Sequence, residues 1–410
     1  MSVPAAGTAG TAGTTSVREL LPADAARATL VGRVWDPVTR GPRPVVVRGD
    51  EVVDLFDVAP TVAGLLELDD VVEQVRAATP TRRWRLDELR AAPQDDDPTV
   101  ARLLAPVDLQ VIKACGVTFV DSMLERVIEE RCAGDPERAA EVRAAVGSAI
   151  GAVVGSVVPA SAEAARVKEV LKSRGLWSPY LEVGLGPDPE VFTKGPVLSA
   201  VGPGASVGVP RFSRWSNPEP ELVLVVDSRG RPRGATLGND VNLRDVEGRS
   251  ALLLGMAKDN TASTALGPFV RLLDEHLTLD TLRSERLALR VDGADDGFVL
   301  ADENDVGRLS RTFEELVGAA WGDHHQYPDG FVLFTGTLFA PTRDRDVPGG
   351  GFTHRPGDTV AISSLHLGTL VNVVRPTEEV PRWELGVRSL VEYLCAQVGD
   401  GDTRSIVTHP

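Results

Sequence analysis

The sequence predicts an α+β protein, with a β-rich domain over residues 181–380 and a smaller N-terminal α/β domain over residues 17–100. Three observations predict it. Beyond residue 180, short apolar or alternating runs recur between Gly, Pro and Asp turns: ELVLVVD, RLALRVD, GFVLFTG, DTVAISS and GTLVNVV. Helical spacing concentrates before that point, in a segment over 101–180. Strands and helices do not alternate regularly, which argues against a doubly wound parallel sheet.

Taken in order, residues 1–16 (MSVPAAGTAGTAGTTS) have no basic start and no apolar stretch of the ~7–15 residues a secretory signal needs. Their Gly/Ala/Thr repetition buries too little surface to offset ordering, so a disordered tail is expected. Strands follow in TLVGRVWD, RPVVVRG and EVVDLF. Thr61 is a good N-cap for one helix through VAGLLELDDVVEQVRAA. The acidic, Pro-bounded stretch AAPQDDDP, 91–98, reads as a linker. A helix is expected over Met123–Arg131. Asp135 and Pro136 suit the N-cap and first turn of another, and Ser161 caps a third that Gly175 ends. Further helices are expected over Ser310–Trp321 and Leu385–Gln397, the latter within a C-terminal helix and tail, 381–410.

Composition narrows the function classes. The 43 basic and 59 acidic residues leave a net charge of −16, so nothing draws the chain to nucleic acid or anionic lipid. No apolar run approaches the ~20 residues of a membrane-spanning helix. Cys115, Cys132 and Cys395 are too few and too far apart for a disulfide framework or a Cys-based zinc site. They suit a reducing compartment, and the cytoplasm is the expected location.

Glu219 and Glu221 stand at the mouth of a strand in NPEPELVLVVD, where residues i and i+2 share a face. A bare E-x-E is usually a solvated strand face. Here Pro218 and Pro220 fix the backbone, and the run that follows is apolar. Asp240 comes after the next turn. Two like charges at the edge of a core repel unless a cation neutralises them, and three carboxylate oxygens with open positions for water or substrate suit Mg²⁺ or Mn²⁺. Lys258, in LLLGMAKDN, is either a surface lysine ending a helix or, beside a divalent cation, a candidate base or hydrogen-bond donor. Thr335-Gly336-Thr337 either ends a strand in a turn or lets backbone approach a ligand, with Thr337 donating to a carboxylate. Glu190 and Lys194, between turn signals, read as loop residues. The adjacent His324 and His325 read as exposed, and Cys115 as core. G-x-S-x-G, H-E-x-x-H, Walker A and Rossmann fingerprints are absent.

The ordered set Glu219-Pro-Glu221, Gly238-Asn239-Asp240-Val241, Arg244-Asp245, Lys258, Gly267-Pro268, Thr335-Gly336-Thr337, Pro356-Gly357-Asp358 and Gly368-Thr369-Leu370-Val371-Asn372 resembles the fumarylacetoacetate hydrolase superfamily over about residues 180–375. The resemblance implies a mixed β-roll catalytic domain in a homodimer or higher homo-oligomer. It implies one Mg²⁺-type ion, with Mn²⁺ also suited, on Glu219, Glu221 and Asp240. The implied substrate is a small 2-oxo acid that chelates the ion. The superfamily's C–C hydrolases carry a histidine on a lid helix. The matching stretch here, Gly116–Arg131, has none, and no histidine precedes His276. Gly116–Arg131 and Asp188–Lys194 instead resemble the 2-keto-3-deoxy sugar-acid dehydratases. That branch implies catalytic roles for Lys258 and Glu190, and substrate contacts from Thr337, Ser122 and Arg126. The implied reaction takes 2-keto-3-deoxypentonate to 2-oxoglutarate semialdehyde and water, in non-phosphorylative pentose catabolism. Competing expectations are a C–C hydrolase of an acylpyruvate or 2,4-diketo acid, a decarboxylase or isomerase, and a catalytically silent metal-binding scaffold.

Overall fold

The β-branched runs of the sequence gather into two large sheets and one two-stranded ladder in the computed structural model, which describes residues 16–91, 97–138, 141–142, 157–338, 343–345 and 351–397. The strands before the helical segment are β1 (Leu30–Asp36), β2 (Gly41–Arg48), β3 (Glu51–Asp54), β4 (Arg83–Arg85), β5 (Arg102–Leu104) and β6 (Val111–Gly116). Those after it are β7 (Glu190–Gly195), β8 (Ser206–Val209), β9 (Ser216–Asn217), β10 (Pro220–Val226), β11 (Pro232–Asp240) and β12 (Asn242–Leu243). The remainder are β13 (Thr264–Leu272), β14 (Arg286–Asp292), β15 (Val299–Asp305), β16 (Phe331–Phe334), β17 (Thr359–Ser364) and β18 (Gly368–Pro376).

The larger sheet runs β4-β3-β2-β1-β13-β11-β10-β16-β6-β7, with β5 beside β1. The smaller runs β15-β14-β17-β18-β8. Both mix directions: β16 and β6 are parallel, as are β18 and β8, and the other ladders are antiparallel. The strands read as an N-terminal unit join the rest directly, because β1 pairs with β13 through Leu30↔Arg271 and Val31↔Val270. The ladder therefore crosses the boundary expected near residue 100.

β10 shows why ELVLVVD is an unbroken apolar run. Successive side chains point to opposite faces, and both faces are covered. Leu222, Leu224 and Val226 pack with Leu287, Leu289, Ile362 and Leu370 of the smaller sheet. Val223 and Val225 pack with Val62, Leu65, Val71 and Val75 from helices of the N-terminal segment. Each such side chain, fully buried, contributes about 1.5–3 kcal/mol. The strands that carry the site are thus clamped from both sides.

The helix expected from Thr61 is two helices, Val62–Leu66 and Val71–Ala77. Thr61 does cap the first, accepting from the Gly64 N–H at 3.0 Å, and the Asp108 carboxylate accepts from Val62 and Ala63. The second starts after Asp70, so LELDD is the break. Ser161 caps Ala162–Ser173 as expected, and Gly175 leaves it with a positive φ of 67°. The helix expected over Ser310–Trp321 is Phe313–Ala320, because Thr312 and Glu315 form a capping box there. The last helix is Val387–Gln397, and it lays Tyr393 on Gly41 of β2. Residues 190–194, expected as a loop, are strand instead: β7 pairs with β6 from Gly116↔Glu190 to Ile112↔Gly195. Residues 1–15 of the tail expected over 1–16, linker residues 92–96, most of the helix after Asp135 and the residues past 397 lie outside the described residues, whereas Ser16 pairs with Arg90. No described helix is long and apolar enough to cross a membrane.

Candidate active site

One end of the central strands collects the candidate residues. Glu219 immediately precedes β10, Glu221 lies within it, and Asp240 closes the neighbouring β11. The antiparallel register sets Pro220 opposite Asn239 and Glu221 opposite Gly238, and the Asp240 N–H donates to the Glu219 carbonyl at 3.0 Å. β6 delivers Cys115 and Gly116, β7 delivers Glu190 and Phe192, and the chain leaving β16 delivers Thr337. The helix Val120–Arg131 brings Ser122 and Arg126, one turn apart on one face. The helix Leu254–Lys258 ends on Lys258. All eight residues expected at the site line one pocket, with Cys115, Gly116, Val117, Phe192 and Glu247.

The three carboxylates are buried, and each offers an oxygen within 4.8 Å of the other two. Charge crowding follows. Burial, then Asp240 and Glu219, push the Glu221 carboxyl well above its usual range. Burial would raise Asp240 too, but the ammoniums of Lys194 and Lys258 outweigh it and hold Asp240 low. Lys258 Nζ sits 2.5 Å from Glu219 Oε2 and 3.1 Å from Asp240 Oδ2. Arg126 holds the other Glu219 oxygen and reaches Glu129 at 2.7 Å and Glu247 at 2.8 Å. Burial lifts Glu190, against the pull of Arg126 and Lys258, and pushes Glu247 up to about 7.

Backbone geometry fixes two of these groups. Gly336 has φ 99°, where side chains are strained, and a Cβ there would run into Thr118 Oγ1. Its N–H donates to Glu221 Oε2 at 2.6 Å. Thr118 in turn donates to the Thr335 carbonyl at 2.8 Å. Gly116 is cleared for another reason: a Cβ on it would meet the Glu190 carboxylate.

The donor set fits a hard divalent cation. It is all oxygen, it is buried, and Asp240 Oδ1 has no hydrogen bond despite the nearby Lys194 ammonium. Four site residues carry more than their sequence context indicated. Lys194 is fully buried behind Asp240. Glu247 lines the pocket. Glu129 accepts from Arg244 at 2.5 Å, and the Arg244 guanidinium stacks on Trp215 at 4.1 Å. Alternation puts Glu190 and Phe192 on one strand face, but the register with β6 slips by one residue at Lys194, which no local pattern shows. Glu129 is local in sequence to Arg126 but not to Arg244, and Glu247 is remote in sequence from its partner Arg126. His324 and His325 are exposed and Cys115 is buried, as expected.

The fumarylacetoacetate (FAA) hydrolase C-terminal family matches residues 164–375. The chain belongs to this family. A Saccharolobus solfataricus protein named 2-dehydro-3-deoxy-D-arabinonate dehydratase is 31% identical over 199 residues, 47% of this chain and 60% of that protein. A Haloferax volcanii protein named a probable 2-keto-3-deoxyxylonate dehydratase is 34% identical over 200 residues, 48% of this chain and 63% of that protein. The chain thus spans about 60% of the length of these family relatives. Among solved structures, a 2-keto-3-deoxy-D-arabinonate dehydratase complexed with magnesium and 2,5-dioxopentanoate superposes with a TM-score of 0.57 at 20% identity, covering 85% of this chain and 99% of the other. That likeness identifies the shared family fold, which is the mixed, β-rich architecture expected from the sequence.

Proposed function

We propose that the protein is a divalent-metal-dependent dehydratase of a 2-keto-3-deoxy sugar acid. It takes a 2-keto-3-deoxypentonate to 2-oxoglutarate semialdehyde and water, a step of non-phosphorylative pentose breakdown. The observation that carries this reading is the meeting of Glu219, Glu221, Asp240, Lys258 and Glu190 in one pocket whose described lining contains no histidine. The names of the two family relatives support the same reaction class. Glu219, Glu221 and Asp240 would hold the ion, Mg²⁺ or Mn²⁺, whose chemistry is Lewis acidity toward the carboxylate and keto oxygens of the substrate.

The chain's own residues handle protons and position. The C3 proton and the C4 hydroxyl leave together as water, and the enone then tautomerises to the aldehyde. Glu190 is assigned the proton traffic, from C3 to the departing C4 oxygen. Its half-buried carboxylate, lifted by desolvation, is a stronger base than a free one and still returns its proton readily. Lys258 presents an ammonium to the carboxylate cluster and is assigned as donor to the oxygen on which negative charge develops. Arg126, Ser122 and Thr337 are assigned to substrate positioning. The same reading makes the protein a cytoplasmic homodimer or larger homo-oligomer, which light scattering of the purified chain checks.

The deciding experiment offers the purified protein a panel of 2-keto-3-deoxy acids and 2,4-diketo acids and reads the products by mass spectrometry. A product lighter than its substrate by one water, lost with EDTA and restored by Mg²⁺, is expected. Cleavage into two acids would replace this reading with the hydrolase, and an inert protein would leave the scaffold.

A further inference from the structure

Lys194 is a buried charge that the proposed chemistry leaves without a task. Its ammonium is fully buried and does not line the pocket. Nζ lies 3.1 Å from Asp240 Oδ1, donates to Ser263 Oγ at 3.0 Å, and donates to the main-chain carbonyl of Lys258. Ser263 Oγ donates to that same carbonyl at 2.7 Å. One side chain therefore touches a candidate ion ligand and the backbone of the lysine beside it. Burying an ammonium without such partners is strongly unfavourable, so the arrangement is specific.

We propose that Lys194 is a positioning residue, a fixed counter-charge that neutralises Asp240 from behind and pins the Lys258 main chain, keeping the three-carboxylate cluster assembled when no divalent ion is bound. Its functional meaning rests on the metal reading of Glu219, Glu221 and Asp240, while its energetics rest on the ion pair alone. Lys258 and Arg126 answer the crowded carboxylates from the pocket side, where ion and substrate enter. Lys194 answers from the side that faces the core. A fixed cation near the ion position also repels the incoming ion. Lys194 thus trades ion affinity for a site that is formed in advance.

A double-mutant cycle of Lys194→Met and Asp240→Asn in the full chain tests this, with thermal unfolding in EDTA and in excess Mg²⁺. Mn²⁺ binding is read from the paramagnetic resonance signal of the free ion. In EDTA, Lys194→Met is expected to lower the midpoint by about 5 °C, and by less than half of that in the Asp240→Asn background. Excess Mg²⁺ restores part of the loss in the single variant, and Mn²⁺ binds that variant at least ~3-fold more tightly than wild type. Equal losses in both backgrounds, equal losses with and without Mg²⁺, or Mn²⁺ binding that is unchanged or weaker would each overturn the proposal. These are what a merely structural lysine gives. If Lys194→Met is insoluble, recovery of soluble protein in the double variant supports the pairing, and its failure overturns it. A wild-type chain that binds no Mn²⁺ removes the metal reading, and the EDTA cycle still decides whether Lys194 pairs with Asp240.

Discussion

Gly116 and Glu190 face each other across the β6–β7 ladder, and the missing side chain of the glycine leaves the space that the glutamate carboxylate occupies. A register pair in the sheet thereby becomes a device for aiming an acid into the pocket. Gly116→Ala fills that space without demanding an unusual backbone. It is expected to lower dehydration of 2-keto-3-deoxypentonate by about 10²-fold, within the range that a positioned acid or base contributes. Steady-state rates check this, and a wild-type rate would remove Glu190 from the proton path.

Glu221 is the most crowded carboxylate of the cluster, so its charge is a burden until a cation arrives. Glu221→Gln keeps an acceptor for the Gly336 N–H and discards the charge. In EDTA the variant should be at least as stable as wild type by thermal unfolding. Its Mn²⁺ affinity should fall by more than about tenfold, since one of three anionic donors is gone. A variant that binds Mn²⁺ as well as wild type takes Glu221 out of the ligand set.

Gly336 holds Glu221 through its N–H in a conformation that side chains resist. Gly336→Ala combines that strain with a collision at Thr118. The expected cost is about 1–3 kcal/mol in chemical denaturation, and Mn²⁺ affinity falls with it. Thr118→Ala relieves the collision but not the strain, so the double variant should recover only part of the loss.

Outside the pocket lining, Arg345 donates to both oxygens of Asp358 at 2.6 and 2.8 Å, with both side chains buried. Burial alone would raise the Asp358 carboxyl, but Arg345 and His354 outweigh it and lower it from 3.8 to about 2. The folded value is below the unfolded one. The pair therefore stabilises the fold above the unfolded value and loses that stabilisation as pH falls toward 2. The shift corresponds to about 2 kcal/mol. Denaturant unfolding between pH 5 and pH 2 should show a steeper acid loss in wild type than in Asp358→Asn by roughly this amount. Parallel curves would contradict the assignment.

The readable parts of this molecule were those whose cause is local. RLALRVD is β14 to the residue, because alternation and flanking turns specify a strand by themselves. Thr61 and Ser161 cap helices through contacts within one turn. Glu219, Glu221, Asp240 and Lys258 were legible because Pro218 and Pro220 mark an unusual strand entrance and because the ordered motifs recur in a known family. Lys194 reads as a loop residue in the sequence, since the Gly and Pro around it outweigh a short run that only pairing with β6 makes a strand. Glu129 and Glu247 stay hidden because a carboxylate in a helix sequence looks solvated, and the tertiary contacts of Arg244 with Glu129 and of Arg126 with Glu247 form only in the fold. The break at LELDD falls just before the second helix, whose leading residue Asp70 makes no side-chain capping bond, so no local signal marks it.

The junction between β1 and β13 has a bearing on how this protein can be cut. A shortened version starting after residue 100 would uncover the flank of β13, whose other neighbour, β11, ends on Asp240. Bare strand flanks recruit other chains. Such a fragment should precipitate before its chemistry could be assayed, so engineering of the pocket is best attempted with the leading hundred residues left attached.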